Sequence, residues 1–152
     1  MKKLLLIGLF LISQGAWSQK NTDTEDIKIL IEDFFEAFHA QDSTALKEFA
    51  HPEIKMQSVA IDAQGNTNLS TEDYSGFLKS IASIPKSTKF REELTDFKIN
   101  TNGMIANAST PYRFFLNDEL SHCGVNTFQL MKSEGKWKII YLVDTRSKLG
   151  CK

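Results

Sequence analysis

The chain is poor in residues that punctuate or cross-link. Its 152 residues include only two Cys, three Pro and eight Gly, which excludes a disulfide-dense scaffold, a collagen-like repeat and a low-complexity chain. It lacks an excess of either charge: 18 Lys+Arg stand against 19 Asp+Glu, for a formal net charge of -1. No basic field exists to drive binding by counterion release, so no nucleic-acid partner is expected. Long apolar runs are missing too. The longest, Leu4 to Ile12, is about half of the roughly 20 residues that span a bilayer core, so no stable membrane insertion is expected. Also absent are a glycine-rich phosphate loop, a Gly-x-Ser-x-Gly elbow and a His-Glu-x-x-His pair, which removes three common catalytic signatures.

What is present begins with a leader. Lys2 and Lys3 precede the apolar run, and Ser13 to Ser18 supply small and polar residues, with Ala16 and Ser18 placed for cleavage before Gln19. This pattern reads as a secretory signal peptide over residues 1–18, followed by one domain over 19–152. A periplasmic or secreted location follows, and with it an oxidising environment in which Cys123 and Cys151 can pair.

Along the domain, Ile27, Leu30, Ile31, Phe34, Phe35 and Phe38 recur at helical spacing, predicting an amphipathic helix to about Ala40 with Thr22 or Thr24 as its cap. Asp42-Ser43 caps a second helix over Thr44 to Ala50, ended by His51-Pro52. A strand from Ile54 to Asp62, a Gln64-Gly65-Asn66 turn and a stub at Thr67 to Leu69 follow. Ser70 or Thr71 then caps a third helix that Pro85 closes. Beyond it come strands over Lys89–Ile99, Met104–Leu116, His122–Met131 and Trp137–Arg146. Their turns are Asn102-Gly103, Asn117-Asp118 and Ser133 to Lys136. Helices first and a strand meander last predict an α+β fold with helices on one side of a mainly antiparallel sheet.

Three phrases carry a family resemblance: Ile31-Glu32-Asp33-Phe34-Phe35-Glu36-Ala37-Phe38 with Gln41-Asp42, Phe49-Ala50-His51-Pro52-Glu53, and the hairpin Phe128 to Lys132 with Trp137-Lys138-Ile139. In this order they resemble the nuclear-transport-factor-2-like (SnoaL-like) superfamily over about Thr24 to Arg146. Ser121 to Val125 and Asp144 to Arg146 are similar to its secreted bacterial members, including those labelled lumazine-binding. The resemblance implies a curved sheet wrapped with three helices into a cone, and a homodimer formed through the sheet. It implies no single function, because such cones serve isomerases, dehydratases, binding modules and dimerisation modules.

The hairpin turns set an expected register. With Glu134-Gly135 at the centre of the last turn, Cys123 faces Arg146 and Val125 faces Asp144. With Asn117-Asp118 at the previous one, Tyr112 faces Cys123 and Arg113 faces His122. Alternation then places Phe128, Trp137, Ile139 and Tyr141 toward the helices, with Arg113, His122 and Asn126, and leaves Tyr112, Leu142, Asp144 and Arg146 on the other face. A slip of one residue would exchange these faces.

The expected ligand set is therefore Arg113, His122, Asn126 and Tyr141, with Phe35, Phe38 and Trp137 as apolar lining. His122 is the candidate general base, and Arg113, Asn126 or Tyr141 would polarise a carbonyl; the competing reading is a strand-end histidine bonded to backbone. His39 and His51 read as a helix-end and a loop residue, and Asp144 with Arg146 as a structural ion pair. No metal is expected, since the three His share no ligand spacing and His122 and Cys123 point to opposite faces; no cofactor is called for. With Cys123 opposite Arg146, the tail can return Cys151 to it, predicting a disulfide worth roughly 2–4 kcal/mol; an intermolecular bridge or two free thiols are the alternatives. The leading function is binding of a small, partly apolar ligand. Cofactor-free acid–base chemistry on a carbonyl compound and a protein-interaction module stand as alternatives.

Overall fold

Ile27, Ile31, Phe34 and Phe35 are buried, so the helical stripe becomes the core face of α1 (Gly15–Ala40). The structure is a computed structural model that describes residues 15–62 and 64–151; the leader read over residues 1–18 lies, up to residue 14, outside them. Gln41 stops α1 with a left-handed φ of 57°, a common helix ending. Asp42 then caps α2 (Ser43–Phe49), its Oδ1 accepting from the Thr44 and Ala45 amides at 3.1 and 2.9 Å. The cap of α3 (Tyr74–Ser83) is Asp73, which accepts from the Gly76 amide. Ser70 and Thr71, the caps expected from sequence, belong instead to a strand, because the stub runs on to Glu72 against its neighbour.

Among the described residues, seven strands form one sheet: β1 (Ala50–Ile61), β2 (Thr67–Glu72), β3 (Phe90–Leu94), β4 (Lys98–Thr101), β5 (Ile105–Leu116), β6 (Glu119–Ser133) and β7 (Lys136–Arg146). Their order is β2-β1-β7-β6-β5-β3, with β4 also paired to β5. All pairs are antiparallel except β1 with β7. The single strand expected over Lys89–Ile99 is two strands, β3 and β4, both on β5. His51 and Pro52 open β1 rather than forming a connection. The turns Asn117-Asp118 and Glu134-Gly135 have positive φ at both residues, the type I′ geometry that suits a twisted hairpin.

Two bulges overturn the expected register. Between β5 and β6, Leu116 faces Glu119 and Phe115 faces Leu120, but Phe114 faces His122, so Ser121 is an extra residue. Between β6 and β7, Leu130 faces Ile139 while Gln129 faces Tyr141, so Ile140 is extra. An inserted residue inverts side-chain parity beyond it. Cys123 therefore faces Arg113 and Ser147, not Tyr112 and Arg146. Tyr112, Phe114, Leu142, Asp144 and Arg146 take the inner, helix-facing side, whereas Arg113, Tyr141, Val143 and Thr145 take the outer side.

The predicted disulfide is present: Cys123 and Cys151 are bridged, with Cα atoms 5.6 Å apart. Two backbone hydrogen bonds between Cys123 and Ser147, both 2.9 Å, bring the tail alongside β6.

The core joins α1 and α2 to the inner sheet face through Phe34, Leu46, Phe128, Leu130 and Ile139. One end is closed by a polar stitch. The buried Asp23 of α1 accepts at Oδ1 from Lys132 Nζ at 2.5 Å and from Trp137 Nε1 at 3.4 Å. Trp137 precedes Asp144 by seven positions on β7, about 20 Å of extended strand. It belongs to the opposite end of the cone from Asn126, which faces Asp144.

Candidate functional site

At the other end, the inner face carries a cluster of polar groups among aromatic rings. Its central residue is Glu92. In β3 the order Phe90-Arg91-Glu92-Glu93-Leu94 puts Glu92 on the same side as Phe90 and Leu94. Arg91 and Glu93 point outward, where Glu93 binds Arg91 at 3.0 Å and Arg113 at 2.8 Å. Asn126 reaches across β5 to donate from Nδ2 to Glu92 Oε1 at 2.6 Å. Behind it, the Glu92 amide donates to His39 Nε2 at 2.8 Å, which requires that nitrogen of His39 to be unprotonated. Burial, then the charge of Arg91, holds the His39 pKa below its usual range.

Burial dominates the chemistry of Glu92 and pushes its carboxyl up to about 7; the Asn126 hydrogen bond opposes this, Asp144 adds to it, and Arg146 opposes it. A carboxyl taken out of water without a cation in direct contact behaves in this way. On β5 the Thr110 side chain is fully buried, faces Asn126 across the strand pair, and its hydroxyl has no hydrogen-bond partner among the described residues.

Tyr112 and the end of β7 complete the cluster. The Tyr112 hydroxyl donates to the Thr145 carbonyl at 3.0 Å and lies 3.4 Å from Asp144 Oδ2. Burial and the charges of Asp144 and Glu92 hold the phenol above its ordinary range. The crossing is possible because position 124 is glycine: a Cβ there would stand 1.7 Å from the Thr145 carbonyl oxygen and 2.9 Å from Tyr112. Regular pairing of β6 with β7 ends at Asn126–Asp144 and resumes at the Cys123–Ser147 bridge. In the gap, the Val125 amide donates to Thr145 Oγ1 at 3.0 Å. Tyr112→Phe should therefore lose about 1–2 kcal/mol by leaving the Thr145 carbonyl without its donor; a denaturant midpoint equal to wild type would remove that bond from the account.

Arg146 Nε donates to Asp144 Oδ2 at 2.6 Å. His122 stacks on Phe114 with centroids 4.8 Å apart and meets Tyr112 edge-on. Burial, followed by Arg146, lowers the His122 pKa, partly countered by Asp144.

Of the residues singled out from sequence, His122 and Asn126 lie in this cluster. Phe38 approaches it through Phe90, at 4.9 Å between centroids. Phe35 is buried in the core and edges a groove of about 320 Å³ between α1 and β3–β4, shared with Glu32, Glu36, His39, Leu94 and Phe97. Arg113 and Tyr141 are on the outer face because of the two bulges. There Tyr141 bonds Gln57 and lines a second groove of about 440 Å³ with Lys55, Thr71 and Gln129. Glu92, Thr110 and Tyr112 were missed as site residues, and Asp144 and Arg146 were read only as a structural pair. The usable signal for Glu92 was its alternation with Phe90 and Leu94.

No protein-family model matches the chain, and no curated protein does. Solved structures do. A protein of unknown function from Mycobacterium tuberculosis superposes with a TM-score of 0.73 at 13% identity, over 91% of this chain and 79% of its own. An NTF2-like protein of unknown function from Pseudomonas putida gives 0.63 at 20% identity, over 82% and 87%. A provisionally assigned dehydratase of the NTF2-like family from Streptomyces avermitilis gives 0.60 at 16% identity, over 84% and 97%. Identities this low establish the fold, which is NTF2-like, and leave the chemistry to the site.

Proposed function

We propose, with the NTF2-like fold as premise, that the chain binds a small, partly apolar ligand in its cone, at the end where Glu92 meets Asn126. The observation that carries this reading is the partly buried Glu92 carboxyl, satisfied at Oε1 by Asn126, which itself faces the unpartnered hydroxyl of Thr110. Buried polar groups held at a cost to folding, inside apolar walls, are the usual makings of a ligand site. Phe90, Phe114 and Phe38 supply those walls. A thermal-shift screen of small amphipathic compounds tests it. Compounds that stabilise the wild type should lose their effect on Asn126→Ala and keep it on Arg113→Ala, since Arg113 faces outward. Shifts that survive Asn126→Ala would place binding elsewhere and end the reading.

A second reading is favoured by one observation. A carboxyl at about 7 is matched to proton transfer near neutral pH. Cofactor-free acid–base chemistry on a carbonyl compound would then use Glu92, not His122, as the proton carrier, and Glu92→Gln would abolish turnover while retaining binding.

Pairing of two copies through the outer sheet face is also proposed. On its β1–β2 edge that face exposes Ile61 at 53% and Leu69 at 62%, one on each of two paired strands, an apolar spot that a second copy would cover. Export to the periplasm or beyond is supported by the Cys123–Cys151 bridge, which persists best in an oxidising compartment.

A further inference from the structure

We propose that the ligand carries an anion, a carboxylate or similar oxyanion on an apolar body, seated with the anion against Arg146 and the body toward Phe114 and Glu92. The proposal rests on the ligand-binding reading above and names the class of compound that site would take. It starts from the guanidinium. Asp144 holds Arg146 through Nε only, and the terminal nitrogens form the edge whose fork geometry suits a carboxylate. The two side chains differ in exposure, 56% for Arg146 and 14% for Asp144. The carboxylate is thus the more buried partner and the guanidinium the one presented to solvent at this end of the sheet.

The charges around Arg146 give the sign. Arg146 and Lys148 are positive and both act on His122, while Asp144 is the facing acid. With Asp144 committed to Arg146, one positive charge is in excess. Deeper in, Glu92 is the remaining acid. Its carboxyl is protonated on the acid side of about 7, so there it adds no negative charge and offers a hydrogen to an acceptor on the ligand. A cation would be repelled by Arg146 and Lys148 on approach; an anion would be drawn to them.

The segment is also pre-organised. Thr145 is pinned by the Tyr112 hydroxyl, Ser147 by its two bonds to Cys123, and the tail by the disulfide. Arg146 lies between these fastenings, so little freedom is lost when it engages a ligand.

The test titrates the oxidised full chain with 3-phenylpropanoate and with its uncharged analogue 3-phenylpropanamide, following protein NMR shifts. The carboxylate should bind about tenfold tighter, as a charge-assisted contact implies. In Arg146→Gln the two affinities should converge, with that of the amide unchanged; Arg146→Lys should keep part of the preference. Asn126→Ala should weaken both probes. Equal affinities in the wild type, or a preference that survives Arg146→Gln, overturns the anion assignment. Binding of neither probe, or binding that Asn126→Ala leaves intact, overturns the underlying ligand-site reading instead.

Discussion

Glu92→Gln should stabilise the protein by about 3 kcal/mol near pH 8 and by almost nothing below pH 4.5. Burial raises the Glu92 carboxyl from 4.5 to about 7, so between those values the folded chain holds a proton that the unfolded chain has released. The stability contributed by that proton is fully present below 4.5 and is lost as pH rises through about 7. Above that point the native state carries a buried negative charge. Glutamine carries none, yet it can still accept the Asn126 hydrogen bond through its own carbonyl oxygen, and the backbone bond to His39 does not involve the side chain. His39 and His122 complicate the wild-type profile. Both are lowered by burial, so their contributions are present above 6.5 and fade as pH falls below it. Subtracting the wild-type curve from the mutant curve cancels them. Denaturant unfolding at both pH values measures the difference; the same gain at both would show that ionisation of Glu92 is not the cause.

Cys151→Ser should destabilise the protein by about 3.5 kcal/mol, the loop-closure value for a bridge spanning 28 positions. Reduction of the wild type should give the same midpoint in urea as the double variant Cys123→Ser/Cys151→Ser. The loss should concentrate at the end of β7. On the β6 side regular pairing has already stopped at Asp144, leaving the Thr145 contacts and the Ser147 bridge, while β1 pairs with the other edge only as far as Arg146. Amide exchange in residues 144–147 should accelerate more than in the core strands. A uniform acceleration would point to global loosening instead. An unchanged midpoint would mean that the bridge does not constrain the unfolded chain.

Much of the fold was legible because it rests on periodicity and turn chemistry. The α1 stripe, the Asp42 cap and the Asn117-Asp118 and Glu134-Gly135 turns each leave a local signature, and the order of elements followed. The site was less legible because it depends on parity across two bulges. Ser121 and Ile140 are extra residues in strands that otherwise alternate well, and nothing in their identity marks them as insertions. Counting outward from the turns gave correct partners up to each bulge, then failed by one residue. That single step moved Asp144 and Arg146 inward and Arg113 and Tyr141 outward. Asn126 kept its face because β6 was already oriented by Phe128 and Leu130. Glu92 escaped for another reason: three successive charged residues obscure the alternation of a five-residue strand. The Cys123–Cys151 pairing was anticipated although the partner assumed for Cys123 was one residue off, since a tail of several residues tolerates such a shift.

The fastening of the tail has a consequence for how damage at this end would be seen. Arg146 and Lys148 are exposed and lie on the chain between the two bridged cysteines. Trypsin cutting after either one severs the main chain yet releases nothing, because the piece bearing Cys151 stays tethered to β6 through sulfur. Such a nicked molecule would migrate as intact in a non-reducing gel and shed its terminal peptide only when thiol is added.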